Sequence, residues 1–466
     1  MTSLFTAVTS SGSTENGAVT NMHTDNFCLD LFFKIGASRG KDLTREFLLA
    51  KGENPELATS ILLWSRDIRE GAGERQIFKD LVKHVANDTN IDALVNKIIE
   101  LGRWDDLLVF LDTSYESVVT TAYVDGISAN NALAAKWLPR KGKAFNLVRK
   151  AMGVDPKTLR KRIVELSQTV EQKMCAKQWS DINYPSVPSV ASSRYSKAFS
   201  RNDTERYVGY LESVKKGDAK INASAVYPYD ITKNLRYGNS DTAEVQWKAL
   251  PNYMEGFEGR MLPVIDVSGS MYCSAGGSTT VNCMEVAVGL GLYIAERSNG
   301  AFNNVFATFH EQPSLLKFND GMSLKDKVTA TYEAPRGGST NLIATFDLIL
   351  NAAVQHNVPE NEMPTHLVVL SDMEFNEADR KYETNHQAIR RKYSDAGYTL
   401  PQIIYWNLNA RNSNFPVRST EFGAALVSGF SPSLLKSVTS GNINPEQMML
   451  QVVSKERYSL KQKAPA

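Results

Sequence analysis

The chain has 466 residues and a mass of 51.7 kDa, more than one ordinary domain holds, so two or three cores are expected. Apolar residues make up 42% and charged residues 22%, which excludes a wholly disordered, collagenous or disulfide-scaffold chain. Lys and Arg number 52 against 51 Asp and Glu, a net charge of +1 that points to no partner, so any charge signal must be local.

Residues 1–24 are rich in Ser, Thr, Gly and Asn and read as a flexible N-terminal segment. They carry no basic n-region and no apolar h-region, so no secretory signal is expected. The longest apolar run, Val286 to Ala295, is far shorter than the roughly 20 residues that span a bilayer. Cys28, Cys175, Cys273 and Cys283 form no CxxC pair and no zinc spacing, the usage of a reducing compartment. A soluble, cytoplasmic protein without a membrane partner is expected.

From Phe27 to about Lys177 apolar residues recur at helical spacing, as in Leu57, Ile61, Leu62, Trp64 and Ile68, and breakers such as Pro55, Gly71, Gly102 and Pro139 punctuate them. Helices of that length joined by short turns pack as antiparallel neighbours. The expectation is an all-α HEAT-like helical repeat module over residues 25–250, with no clean period. Within it, Asn183 to Leu250 sets Pro185, Pro188, Tyr195, Tyr207, Tyr210, Tyr227 and Tyr229 among Ser and Lys and reads as irregular connection plus a few helices.

Beyond Phe257 the pattern changes to short β-branched runs alternating with amphipathic stretches. Strands are predicted at Leu262–Val267, Asn304–Phe309, His366–Leu370 and Gln402–Trp406, with helices at Asn282–Ser298, Asn341–Gln355 and Glu377–Asp395. Such alternation predicts an α/β domain over residues 258–466, a mostly parallel sheet with helices on both faces.

The first strand of that domain runs into Asp266-Val267-Ser268-Gly269-Ser270. In an open α/β sheet the ligand crevice lies outside the carboxyl ends of the strands, where this loop belongs. Thr340, in a Gly-rich loop, and Asp372, after Val369-Leu370-Ser371, fall at further strand ends. Oxygen donors of this kind suit Mg²⁺, or Mn²⁺ or Ca²⁺, rather than zinc. The plainer reading of DVSGS is a strand-to-turn sequence with Ser capping the next helix. A haloacid-dehalogenase-type phosphatase would need a second Asp where Ser268 stands, and no nucleophile–base pair remains for catalysis. Glu374, two residues past Asp372, reads as a further outer-shell carboxylate or, preferably, as a solvated loop residue, and Cys273 as an ordinary small residue. His310 and Glu311 make no HExxH pair.

DxSxS, a Thr in a Gly-rich loop opening a helix, and a later Asp after an apolar strand together resemble the metal-ion-dependent adhesion site of a von Willebrand factor A domain. The resemblance implies a Rossmann-like fold, direct metal ligation by Ser268, Ser270 and Thr340, outer-sphere support from Asp266 and Asp372, and a position left open for an acidic group of a partner protein.

Charge is local in one place. Between Lys136 and Lys177 twelve Lys or Arg face three acids, a net +9 in 42 residues that leaves −8 for the rest. Arg140, Lys141, Lys143, Arg149, Lys150, Lys157, Arg160, Lys161 and Arg162 are dense enough to neutralise phosphates, and Trp137, Trp179 and Tyr184 lie nearby for stacking. A solvated basic helix face is the bland alternative. No groove-reading DNA motif is present, so RNA is the expected ligand.

Trp64-Ser65-Arg66-Asp67-Ile68-Arg69-Glu70-Gly71-Ala72-Gly73-Glu74-Arg75 and Gly102-Arg103-Trp104-Asp105-Asp106-Leu107-Leu108 resemble the TROVE module of Ro ribonucleoproteins, which is also followed by a von Willebrand A domain. Tyr184-Pro185-Ser186-Val187-Pro188-Ser189, then Tyr195, Phe199 and Arg206-Tyr207, is closer to an uncharacterised plant, fungal and phage family of the same architecture. The resemblance implies a helical ring closed by the A domain that binds misfolded or small structured RNA. The combined expectation is a non-enzymatic RNA-binding protein whose metal site engages an acidic protein partner. The alternative is an interaction scaffold or virion or adaptor component that uses the metal site without nucleic acid.

Overall fold

The computed structural model describes residues 11–461 except 238–239, 311, 336, 338–339, 379–382, 411, 413 and 439–443. Glu311, most of the loop before Thr340 and part of the predicted Glu377–Asp395 helix lie outside the described residues.

The C-terminal part is built on a six-stranded sheet. Its strands are β3 (Met261–Asp266), β4 (Val305–Phe309), β5 (Leu315–Lys317), β6 (His366–Ser371), β7 (Gln402–Asn407) and β8 (Ala424–Ser428), in the spatial order β5-β4-β3-β6-β7-β8. All neighbours are parallel except β4 with β5. This is the doubly wound order 3-2-1-4-5-6, which reverses direction around β3 and β6. Both faces are covered, which is why β3, β4, β6 and β8 are buried at every residue and read as continuous apolar runs. Helix Cys283–Arg297 lies on the face of Ile265 and Leu370, brought close by Gly291. Helix Asn385–Asp395 covers the opposite face, where His386 meets Tyr405. Both helices begin with a reciprocal capping box, Asn282 with Glu285 and Thr384 with Gln387.

The N-terminal part is helical from Phe27 to Lys248. Local sequence sets the helix starts: Asn54 caps Pro55–Arg66, and Asp155 caps Pro156–Ser167, each with Pro at the first turn. The stretch expected to be irregular connection plus a few helices holds, among the described residues, the helices Ser189–Asn202, Thr204–Lys216, Pro228–Tyr237 and Ser240–Lys248. Tyr184, Phe199 and Tyr207 of this stretch pack together in a separate core, while Tyr227, Tyr229 and Trp247 join the main one.

The helical module leaves the α/β domain and returns to it. At its start, helix Phe27–Ile35 packs on β8, with Ser428 Oγ donating to Phe32 O and accepting from Gly36 N. At its end, helix Pro228–Tyr237 packs on Cys283–Arg297 so closely that a Cβ on Gly289 would lie 2.6 Å from Tyr229 N. Trp247 Nε1 adds a 2.6 Å bond to Glu296.

Within the segment expected to be flexible, the described residues begin at Ser11 and form regular structure. Strands β1 (Ser11–Ser13) and β2 (Val19–Asn21) form a hairpin. Three-residue strands cannot hold themselves together in water. This pair is held by the α/β domain: Thr20 Oγ1 and Asn21 bond Phe415, and Thr14 Oγ1 donates to Phe375 O.

Candidate functional site

β3 and β6 are parallel neighbours at the reversal point, so the residues that follow them share one crevice. Asp266 ends β3 and Asp372 follows β6, and both are buried. Asp266 Oδ1 accepts from Ser268 N at 2.9 Å and Oδ2 from Ser371 Oγ at 2.6 Å. Burial first, and then the like charge of Asp372, pushes the Asp266 carboxyl well above the usual range despite those two bonds. Met373, between Asp372 and Glu374, holds a left-handed φ of 66°, a conformation that costs a non-glycine residue about 1 kcal/mol or more and marks functional loops.

The hydroxyls complete the set. Ser268 Oγ and Ser270 Oγ are 3.0 Å apart and share a hydrogen bond. Two cis ligands at about 2.0–2.1 Å from an octahedral ion stand about 2.9 Å apart, so the pair is already at ligand spacing. Thr340 is buried and pinned to the loop after β6, its N–H bonding Asn376 Oδ1 and its carbonyl accepting from Asn376 N. Asp266, Asp372, Ser268 and Ser270 are hard-oxygen groups of the kind Mg²⁺ accepts, the two carboxylates repel each other in a way a cation would relieve, and Thr340 stands on the loop that Asn376 ties to the end of β6. No group of three or more His, Cys, Asp or Glu side chains suited to a metal is found among the described residues.

Ser371 and Asn16 escaped sequence reasoning, and Glu374 was preferred as a solvated residue over an outer-shell carboxylate. Ser371 orients Asp266. Glu374 is not solvated but buried, and its carboxylate accepts from Glu15 N, Asn412 Nδ2 and Asn414 Nδ2 at 2.7–2.8 Å. Asn16, on the hairpin turn, donates at 2.8 Å to both Thr340 Oγ1 and Glu374 O. The Asn16-Gly17 dipeptide was the available signal, since it marks hairpins; Gly17 has φ 87°. Cys273 Sγ lies 3.7 Å from Cys283 Sγ and accepts from Asn409 Nδ2 at 3.2 Å. The bond to Cys273, reinforced by burial, holds the Cys283 thiol far above its ordinary range, so it stays protonated.

The basic stretch lies on helices Lys143–Ala151 and Pro156–Ser167 and the loop before them. Arg140, Lys141, Lys150 and Lys157 are exposed and meet no acidic side chain among the described residues. The other five are engaged. Lys143 pairs with Asp112 and Glu116, and Lys161 with Glu165. Arg149 caps Val154 O, Arg160 bonds Arg140 O, and Arg162 bonds Asn130. The expected stacking groups are largely taken. Arg103 sits 3.9 Å over the Trp137 ring, Trp179 packs on the second core, and Tyr184 is buried in it.

The residues carrying the TROVE resemblance are mostly internal. Arg66 and Asp106 form a buried pair at 2.7 Å. Glu74 is buried against Arg39 at 3.3 Å. Asp67 accepts from Arg457 at 2.5 and 3.0 Å and from Tyr458 OH at 3.1 Å. Burial alone would raise the Asp67 carboxyl; Arg457 outweighs it and holds it below the usual range.

Two family models match the chain, both described as a domain of unknown function: DUF2828 over residues 141–256 and DUF7788 over 260–465. The crystal structure of the Deinococcus radiodurans RO (RSR) protein is similar at a TM-score of 0.43 and 15% identity, covering 90% of this chain and 94% of that one. The uncharacterized protein L728 of Acanthamoeba polyphaga mimivirus is 30% identical over 504 aligned residues, 94% of this chain and 86% of the relative, and the chain belongs to that protein's family.

Proposed function

We propose that the protein is a non-enzymatic RNA-binding protein whose helical module holds RNA by its phosphates and whose α/β domain carries a divalent-cation site for an acidic group of a partner protein. The observation that carries the RNA half is the set of Arg140, Lys141, Lys150 and Lys157, exposed in the +9 stretch and without acidic partners among the described residues. Because the nearby rings are covered, binding rests on phosphate neutralisation rather than stacking, and sequence preference is weak. Filter binding of single-stranded RNA against salt tests this. Each contact contributes about −0.7 to the log–log slope, so changing those four residues to Ala flattens the slope by about 2.8 in the same units. A salt-insensitive parent, or a variant that binds like it, sinks the reading.

For the cation, Ser268, Ser270 and Thr340 would hold it, while Asp266 and Asp372 balance its charge. A bound Mg²⁺ would supply a positive, oxygen-seeking centre for a carboxylate of the partner. The chain's own groups do the positioning: Ser371 and the Ser268 N–H fix Asp266, and Asn376 fixes Thr340. Ligand that binds only the native state raises the melting temperature by mass action. Mg²⁺ should therefore stabilise the parent and leave Asp266→Ala and Ser268→Ala unshifted; equal shifts in all three count against the site.

A further inference from the structure

Cys273 and Cys283 stand at the two ends of one loop, ten positions apart in the chain. The segments that hold them run antiparallel: Ser274 bridges Asn282, Cys283 N–H donates to Cys273 O at 3.1 Å, and Ala275 N–H donates to Val281 O at 3.0 Å. Residues opposed across such a bond stand about 5.5 Å apart at Cα, inside the span of about 4.4–6.8 Å that a disulfide bridges. The side chains already face each other, with the sulfurs 3.7 Å apart. Closing them to the about 2.05 Å of a disulfide asks for a small shift of two side chains and keeps the pairing.

The two thiols differ in access. Cys283 is buried at the start of helix Cys283–Arg297, whereas Cys273 is half-buried between exposed Tyr272 and Ser274. An oxidant therefore meets Cys273 first, with Cys283 in place to resolve it.

The loop between them is where the α/β domain grips the helical module. Gly277 N–H donates to Ser38 O at 3.0 Å, and a Cβ on Gly276 would lie 2.5 Å from Ala37 O. From the far end of the module Lys233, on helix Pro228–Tyr237, donates to Thr280 O. Cys273 itself belongs to a chain of contacts between the two parts: Lys41 Nζ donates to Asn409 Oδ1 at 2.9 Å, and Asn409 Nδ2 donates to Cys273 Sγ at 3.2 Å. Its thiol also reaches Asp372 Oδ2 at 4.0 Å.

We infer that Cys273 and Cys283 form a reversible disulfide, a redox-sensitive staple at the base of the loop that clasps the helical module. The inference stands apart from the RNA and cation readings. With a small disulfide such as oxidised glutathione as the oxidant, the Cys273 sulfur attacks one of its sulfurs and expels the other as a thiolate. The Cys283 sulfur then attacks Cys273, the second glutathione thiolate leaves, and the protons of the two cysteines pass to the two departing thiolates. Two protein thiols are oxidised and one small disulfide is reduced to two thiols. The new bond constrains the loop and removes the S–H that Cys273 offers to Asp372.

The test takes the full chain carrying Cys175→Ser, which removes an exposed thiol that would join two molecules, through glutathione buffers from fully reduced to fully oxidised. Remaining thiols are alkylated after unfolding and located by peptide mass. Cys273 and Cys283 should lose their label together, Cys28 should keep it, and dithiothreitol should restore both. Adding Cys273→Ser, which keeps a hydroxyl beside Asn409 and Asp372, should leave Cys283 labelled throughout. Hydrogen exchange at residues 274–282 should slow on oxidation, and should not when Cys273→Ser is present. Full labelling of both cysteines in the oxidised buffer, or glutathione held on Cys273 with Cys283 still labelled, overturns the disulfide; a disulfide that leaves exchange of the loop unchanged overturns the staple.

Discussion

Two charged regions of the helical module look alike in sequence and do opposite work. The Trp64–Arg75 stretch, with Asp105 and Asp106 beside Trp104, turns its charges inward: Arg66, Asp67, Glu74 and Asp106 are buried and each meets an opposite charge. The Arg140–Arg162 stretch turns its charges outward, and four of its cations find no acid among the described residues. An acidic partner spaced to reach each cation is what separates scaffold from surface. The conspicuous motif is a set of staples between helices and, through Arg457, to the end of the α/β domain, whereas the featureless run of Lys and Arg is the part open to a ligand.

The comparison breaks most visibly at Arg66. Removing it leaves Asp106 buried without its guanidinium, so Arg66→Ala should cost about 3–5 kcal/mol of unfolding free energy in a urea titration. A loss near that of a surface change would mean these charges are not staples. Arg457→Ala removes charge-assisted bonds from Asp67 but leaves Tyr458 OH and Arg69 N in place; a loss of about 1.5–3 kcal/mol is expected by the same measurement. Changing Arg140, Lys141, Lys150 and Lys157 to Ala should sharpen the contrast, with stability held within about 0.5 kcal/mol per site while RNA retention falls.

The smallest effect concerns pH. His386 is buried in the α/β domain, and burial, then Arg390, lowers its pKa from 6.5 to about 3. Between those values the unfolded chain binds more protons, so His386 is without cost above pH 6.5 and stability falls as pH drops below it. From pH 8 to pH 6 the loss is about 0.8 kcal/mol; His386→Gln should lack that component when melts at the two pH values are compared.

How far the fold was legible follows from range of interaction. The strands β3, β4, β6 and β7 and the helices Cys283–Arg297 and Leu342–His356 matched within a few residues, because burial on both faces imprints a continuous apolar run, whereas the observed helix Asn385–Asp395 starts eight residues later than expected. Short β5 was missed as an edge, and Ala424–Ser428 because a five-residue strand beside Gly423 carries little pattern. In the aromatic stretch after Asn183 a few helices were legible but their packing was not, because Tyr and Pro signal irregular chain locally, while Tyr184 finds partners 15 or more residues away. The Asp266–Ser270 loop was legible, since strand order alone puts it at the crevice. Asn16 and the burial of Glu374 were not, because both depend on contacts across more than 300 residues.

The return of the helical module to the α/β domain has a consequence for how the chain comes into being. Asn16 waits for Thr340, and Asp67 for Arg457, bonds that span 324 and 390 positions. During synthesis at about 5–20 residues per second, the first helices are out of the ribosome for many seconds before β8 exists to cover Phe32 and Gly36. The two parts therefore do not mature as independent beads. High contact order makes the final closure slow, and apolar helix faces stay exposed until the last strand arrives, so the nascent chain is a natural client for chaperones and a poor candidate for expression in halves.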